Sequence, residues 1–463
     1  CYFLRGRPLR FTLGLGAILA GGLLGRGVGS DVLFADRSFF GAYKVRQWYG
    51  YHHLTHGTTL HGAQNFADTA RRLEPLTPGL IYTDRGMERG ILLLNDLPGL
   101  SARAVIKPGE KFGTSDILFR IQEDPASFSL NVDNYGREEL GEIRVLADAR
   151  FNNLGGFGDE LYIATLVSED ALLKYGNITY GFPTGSNGAR MRLTFNRADY
   201  SVEGAIFADL GITGDNTTYR ADWSYPLLRS RRANIVFTAA VQRFNTESFQ
   251  LGEEIPNNTT ELNLAEFGLF MNGLAKTGNS WTVSVLVDGN GKSNESTVNL
   301  RESDAQQAKL RLDGSYSLPF AGGWLLASRA TYVYSGDPLV DSQKFSLGGP
   351  YSVRGYAPAE LRGDEGAFVA LELRKYFFPG KYPIAGIVFV DGGYAKNQRL
   401  PGDTFSTDAD LEGELGSAGL GVLFSPDGGT FSGALTVAAP IDNHTSPNND
   451  DDGHAWATFT YRF

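Results

Sequence analysis

Thiols are almost missing from this chain: Cys1 is the one cysteine in 463 residues, so no disulfide can form within a single chain and a metal site built on several thiolates is excluded. Long apolar runs are missing too. The longest, Phe11–Gly25, has fifteen residues and five of them are glycine, short of the ~20 that a helix needs to cross a bilayer. It could serve as a signal-peptide core behind Arg5, Arg7 and Arg10, but no A-x-A-like cleavage site follows it. A basic excess is likewise absent. With 42 Lys plus Arg against 52 Asp plus Glu the net charge is −10, which argues against a nucleic-acid partner.

What is present is glycine, 58 residues, and aromatic rings, 21 Tyr and 30 Phe. The mean hydropathy of −0.20 fits strands that alternate between lipid and a wet lumen and so average out as mildly polar. From about residue 126 the chain falls into such runs, each about ten residues long and separated by Gly, Asn, Asp and Pro clusters. Lys309–Pro319 places Leu310, Leu312, Gly314, Tyr316 and Leu318 on one face, with Lys309, Arg311, Asp313, Ser315 and Ser317 on the other. The runs from Phe128 to the C-terminus predict about sixteen strands, an even number as single-chain bacterial barrels require.

The spacing of the links supports that count. Short connections at Asn152–Gly158, Pro183–Gly188, Leu228–Arg232, Leu274–Asn279, Phe320–Gly323, Phe378–Tyr382 and Pro426–Gly429 alternate with mostly long ones. The long set includes Ala198–Thr218, Asn245–Thr260, Gly289–Gln306, Ser335–Glu365, Lys396–Gly413 and Asp442–Gly453. Short periplasmic turns and long external loops make an all-β, transmembrane antiparallel barrel over 125–463, with outer-membrane lipid around it. A soluble sandwich or β-helix is the alternative, and its loops should not alternate in length. Residues 86–124 read differently: a helix over Met87–Leu97, stopped by Pro98-Gly99, then short strands at Ala102–Ile106 and Asp116–Gln122. That is too little to bury a core of its own.

Within the longest external loop, Leu347–Gly366 reads LGGPYSVRGYAPAELRGDEG. It resembles the VRGY/F signature of two-partner-secretion transporters (TpsB, the haemolysin activator/secretion type), relatives of the BamA-like assembly factors. Met87–Gly99, Leu210–Asn234, Phe389–Tyr394 and the terminal YRF are similar to the same family, and the resemblance covers about 87–463. It implies an outer-membrane pore whose sixth external loop folds back into the lumen, carrying Val353, Arg354, Gly355, Tyr356, Gly363, Asp364 and Gly366. The loop Arg354 would pair with Asp391, which follows four apolar residues in a strand, where an unpaired carboxylate shielded from water is costly and a guanidinium satisfies it with a directed contact. Phe459, Tyr461 and Phe463 resemble the end signal read by the barrel-assembly machinery; an interfacial aromatic girdle would use the same residues. The resemblance also makes 86–124 the C-terminal part of a POTRA domain (α+β), one of two that capture substrate. On that reading the small sheet lacks its leading strand and first helix, Leu92, Leu93 and Leu94 are expected to be exposed unless the N-terminal piece covers them, and partner secretion by this chain is expected to be absent or very weak.

The first 85 residues point elsewhere. Asp31–Val45 and His56–Gln64 resemble membrane-attached spermidine-synthase-like proteins, but neither that family's Gly-rich nucleotide loop nor its catalytic acid follows. A fusion or assembly junction near 77–86 is the simplest account, and a start at Cys1 fits a fragment. His52, His53, His56 and His61 are expected to be solvated rather than metal-binding. The leading function is therefore export of an unfolded partner exoprotein, with no catalytic residues, metal or cofactor. A BamA-like insertase, a passive porin and an aminopropyltransferase are the alternatives.

Overall fold

The computed structural model describes residues 84–108, 115–204, 210–254, 260–290, 296–298, 301–303, 307–377, 383–399, 411–425, 429–442 and 453–463, with four paired strands between 32 and 60. Phe11–Gly25, His61 and the side chains of His52, His53 and His56 lie outside the described residues. Among those described no helix is long and apolar enough to cross a membrane. The chain divides into two compact units, the second holding 126–151, 160–184 and 188–463.

In the first unit, helix α1 (Asp84–Asn95) is followed by an antiparallel hairpin of Leu100–Pro108 with Ser115–Glu123. Leu93 and Leu94 are 8% and 1% exposed, against Ala102 and Phe119 of the hairpin. The expectation that Leu92, Leu93 and Leu94 would be left bare is thus corrected for two of them. One turn of helix places both leucines over the hairpin's apolar face, and Asn95 ties the two elements by exchanging hydrogen bonds with the Ala102 backbone at 2.9 and 3.0 Å. Leu92 is half-buried.

The second unit is a closed antiparallel barrel of sixteen main strands. They are β1 (Ala126–Asp133), β2 (Arg144–Asn152), β3 (Glu160–Ser168), β4 (Leu173–Pro183), β5 (Arg190–Ser201), β6 (Thr213–Arg229), β7 (Ala233–Gln250) and β8 (Thr260–Leu274). The ring continues with β9 (Ser280–Gly289), β10 (Ala308–Phe320), β11 (Trp324–Ser335), β12 (Glu365–Tyr376), β13 (Ile384–Lys396), β14 (Glu412–Phe424), β15 (Phe431–Pro440) and β16 (His454–Arg462). It closes where β16 meets β1, from Arg462 beside Ser129 to Thr458 beside Asp133, reinforced by backbone bonds between Phe128 and Phe463.

Period-2 alternation sorts the side chains as lipid and lumen demand. On β10, Leu312 and Tyr316 are 37% and 41% exposed on the outside, while Arg311 and Asp313 pair inside at 2.8 Å and Asp313 accepts a bond from Thr331 on the next strand. Two expected loops prove shorter than the hydropathy pattern implied. β5 continues to Ser201 and β6 starts at Thr213, and β7 runs to Gln250 beside it, with Asp215 across from Glu247. Charged outward positions end the apolar stripe there, but the backbone ladder needs no apolar side chain to continue. One external link, Glu169–Leu172, is short and breaks the alternation of lengths.

Candidate functional site: the lumen loop and its clamp

Between β11 and β12 the chain makes a loop, residues 336–364, that folds into the lumen. Its stem is a two-stranded ladder, Phe345–Leu347 with Leu361–Gly363. Gly348 and Gly349 at φ +98° and +91° turn the chain out of that stem in a conformation that side chains resist. The turn is closed by Gly349 N–H donating to the Tyr356 carbonyl at 2.8 Å and by the Ser352 hydroxyl donating to the Gly348 carbonyl at 2.8 Å. Phe345, Leu347, Val353 and Tyr356 then bury themselves on Val333, Phe368, Ala395 and Leu415 of the barrel wall. An external loop carrying that much apolar surface gains more from the lumen wall than from water.

At the tip, Arg354 is 5% exposed and Asp391, on β13, 2%. The guanidinium Nε and Nη2 donate to the two Asp391 oxygens at 2.7 Å each, and the Arg354 backbone N–H adds a third bond at 3.2 Å. Nη1 donates to Glu372 of β12 at 2.8 Å, and Arg374 donates to the other Glu372 oxygen. The guanidinium lies 3.3 Å from the Phe389 ring centroid, a cation–π contact. Arg354 and Arg374 thus meet Asp391 and Glu372, and Arg329 of β11 adds a third cation to the lining of the same space. Trp456 of β16 fixes the tip from behind, its indole N–H donating to the Arg354 carbonyl at 2.8 Å. A buried bidentate pair of this kind holds geometry tightly, and its worth shows when one partner is removed.

The neighbouring motif residues complete the lock. A Cβ on Gly355 would sit 2.6 Å from Ser417 Cβ and 2.9 Å from the Ala439 backbone, so the tip can press this close to β14 and β15 only as glycine. Val353 and Tyr356 are 0% and 1% exposed, and the Tyr356 hydroxyl donates to Asp442. Gly363 lies against the Lys396 backbone and Gly366 beneath the Phe345 ring. Asp364 accepts from the backbone N–H of Leu339 and of Gln398, both at 2.7 Å, and so joins the start of the loop to the next external link. Burial pushes its carboxyl above the usual carboxylate range, against the pull of those two amides.

Every residue that the sequence placed in the loop therefore gathers at one site, with Asp391 beside Arg354. Phe459, Tyr461 and Phe463 are elsewhere, on the outer face near the seam, at 43%, 44% and 67% exposure. Phe459 stacks on Phe431, and Tyr461 meets Phe463 edge-on at 4.9 Å. Sequence reasoning missed Glu372, Arg374, Phe389 and Trp456. The signal was there in the alternation: Gly366, Phe368, Ala370, Glu372 and Arg374 share the inward face of β12, and the register sets Glu372 across from Phe389.

A sixteen-stranded outer-membrane barrel with an external loop drawn into its lumen, and fastened there by an arginine between two carboxylates, defines a class of outer-membrane transporter. Residues 113–422 match the model of the haemolysin secretion/activation proteins ShlB/FhaC/HecB, and the chain belongs to that family. It is thus a two-partner-secretion transporter of the bacterial outer membrane. The heme/hemopexin transporter protein HuxB of Haemophilus influenzae (strain 86-028NP) is 27% identical over 392 residues, 81% of this chain and 67% of HuxB. This chain therefore spans about two thirds of that relative's length. Solved structures share the fold, two of them as follows. CdiB from Escherichia coli superposes with a TM-score of 0.72 at 21% identity, over 85% of this chain and 74% of CdiB. BamA from Haemophilus ducreyi lacking POTRA domains 1–3 gives 0.55 at 16%, over 85% and 81%.

Proposed function

We propose that the chain exports an unfolded partner exoprotein, of haemolysin or adhesin type, through the barrel lumen past the loop that carries Arg354, with folding outside the cell giving direction to transport. The observation that supports this most is the inward clamp. A passive porin needs no arginine buried between Asp391 and Glu372, whereas a pore that must hold a loop to one side of its lumen while a polypeptide passes does. Residues 86–124 serve in this reading as the C-terminal part of a POTRA domain that receives the exoprotein, 125–463 as the pore, and 1–85 as an appended unit resembling a spermidine-synthase-like fragment. The barrel-assembly machinery reads Phe459, Tyr461 and Phe463 during insertion. Arg354 with Asp391 sets the loop, and Val353, Gly355, Tyr356, Gly363, Asp364 and Gly366 shape it.

The test is to co-express a version with both POTRA domains restored, beside the chain as it stands, with a cognate exoprotein and to assay the medium; the chain as it stands is expected to secrete very weakly or not at all, and the variants are read in the restored version. Arg354→Asp and Asp391→Arg are each expected to abolish secretion, and the double charge swap to restore a measurable part of it. Equal loss in all three variants counts against the pair. Deposition of other barrel proteins in the membrane, with no export, would favour an insertase instead.

A further inference from the structure

The loop is fastened at a second place. Val340, 1% exposed, enters an apolar seat made by Phe244 of β7 with Leu262 and Leu264 of β8, which are 6%, 0% and 7% exposed. These three share the inward face with Glu266, which bonds Arg220 across the wall at 2.6 Å, so the seat is on the lumen side. Close by, Lys309 of β10 donates to the Gln343 side chain at 3.1 Å. One end of the loop is thus held on β7–β10 and its tip on β12–β16. The wall under the tip is sealed: Phe368, Ala370 and Ser417 are 4%, 1% and 0% exposed. Beneath the tip is a cavity of about 310 Å³, lined in part by Ser315, Glu372 and Thr436 and roofed by Arg354.

The remaining arc, β2–β6, differs in both exposure and chemistry. Arg150 is 48% exposed and faces Glu160 across 3.8 Å. Thr179 and Thr194 share a hydrogen bond of 3.0 Å and both are half-exposed. Arg220 is neutralised by Asp222 at 2.7 Å. Pairing with Glu160 and Asp222 offsets part of the cationic charge on this wall, where Arg192 also lies across from Asp222, and hydroxyls offer hydrogen bonds that a moving backbone can exchange with water at small net cost.

We infer that the β2–β6 wall is the surface along which an extended, polar polypeptide passes, with the loop remaining fastened at both ends. The inference rests on the export reading and names the path within it. The cavity beneath Arg354 is a recess to one side of that path.

The test uses the full chain carrying Cys1→Ser, purified and inserted into planar bilayers, with an unstructured Gly/Ser/Asn-rich peptide as the probe on the periplasmic side. The wild-type pore is expected to show transient current blockades. A bulky thiol adduct added after folding at Thr194→Cys should lower their frequency roughly tenfold, equivalent to about 1.4 kcal/mol, and the same adduct at Thr436→Cys should leave it near the wild-type level. Blockades lost with the Thr436 adduct but kept with the Thr194 adduct would overturn the inference. So would equal effects at both positions, or a wild-type pore without blockades. Failure of exoprotein secretion by the version with both POTRA domains restored, with this blockade pattern intact, would count against the export reading alone.

Discussion

The two fastenings of the loop use opposite chemistry. Arg354 is held by directed, charge-assisted bonds to Asp391 and Glu372, and Val340 by contact with Phe244, Leu262 and Leu264. A directed clamp fixes orientation but fails sharply, because removing one partner leaves a charge buried and under-satisfied. An apolar seat has no orientation to lose and tolerates changes that keep volume. The largest effect expected is therefore from Asp391→Ala, which should cost about 3–5 kcal/mol, measured as a fall in unfolding temperature of the purified barrel and new protease cleavage within 336–364. If Asp391→Ala and Val340→Ala cost the same, the contrast between the fastenings does not hold.

Smaller effects sharpen it. Val340→Ala should cost about 2 kcal/mol through lost burial and the cavity left behind, while Val340→Leu, which adds a methylene to a filled seat, should cost about 1–3 kcal/mol; thermal unfolding of the pair compares loss of volume with overpacking. Gly355→Ala should cost about 1–3 kcal/mol by overpacking against β14 and β15, and adding Ser417→Gly should recover only part, because the Ala439 and Pro440 backbone remains 2.9 Å from the new Cβ. Least of all should come from Arg362→Ala. Its partner Asp341 is 64% exposed and Arg362 itself 37%, so the pair is screened and worth about 0–1 kcal/mol. A large loss there would show that the stem of the loop, not its tip or its seat, holds it in place.

The lipid-facing stripe and the turn residues made the barrel and its sixteen strands legible, because both follow from a two-residue period that one sequence displays. The clamp was half legible. Arg354 stood out in its motif and Asp391 in an apolar run, whereas Glu372 looked like any lumen carboxylate until the β12–β13 register set it beside the tip. The Val340 seat was not legible, since Phe244, Leu262 and Leu264 fall in ordinary alternation and nothing local says that a loop about eighty residues later will cover them. Strand ends above the bilayer were misjudged for a related reason. Asp199, Asp215 and Glu247 look like loop residues by hydropathy, yet each lies within a paired strand.

A ring held by a strut across one chord has a stiff diameter and a compliant one. The loop joins β7–β8 to β13, so moving those strands apart strains one of its two fastenings. The unstrutted arc of β2–β6 carries no such constraint and can bow outward when something wide enters. The pore's cross-section should therefore swell along one axis only, and the loop sets which axis that is.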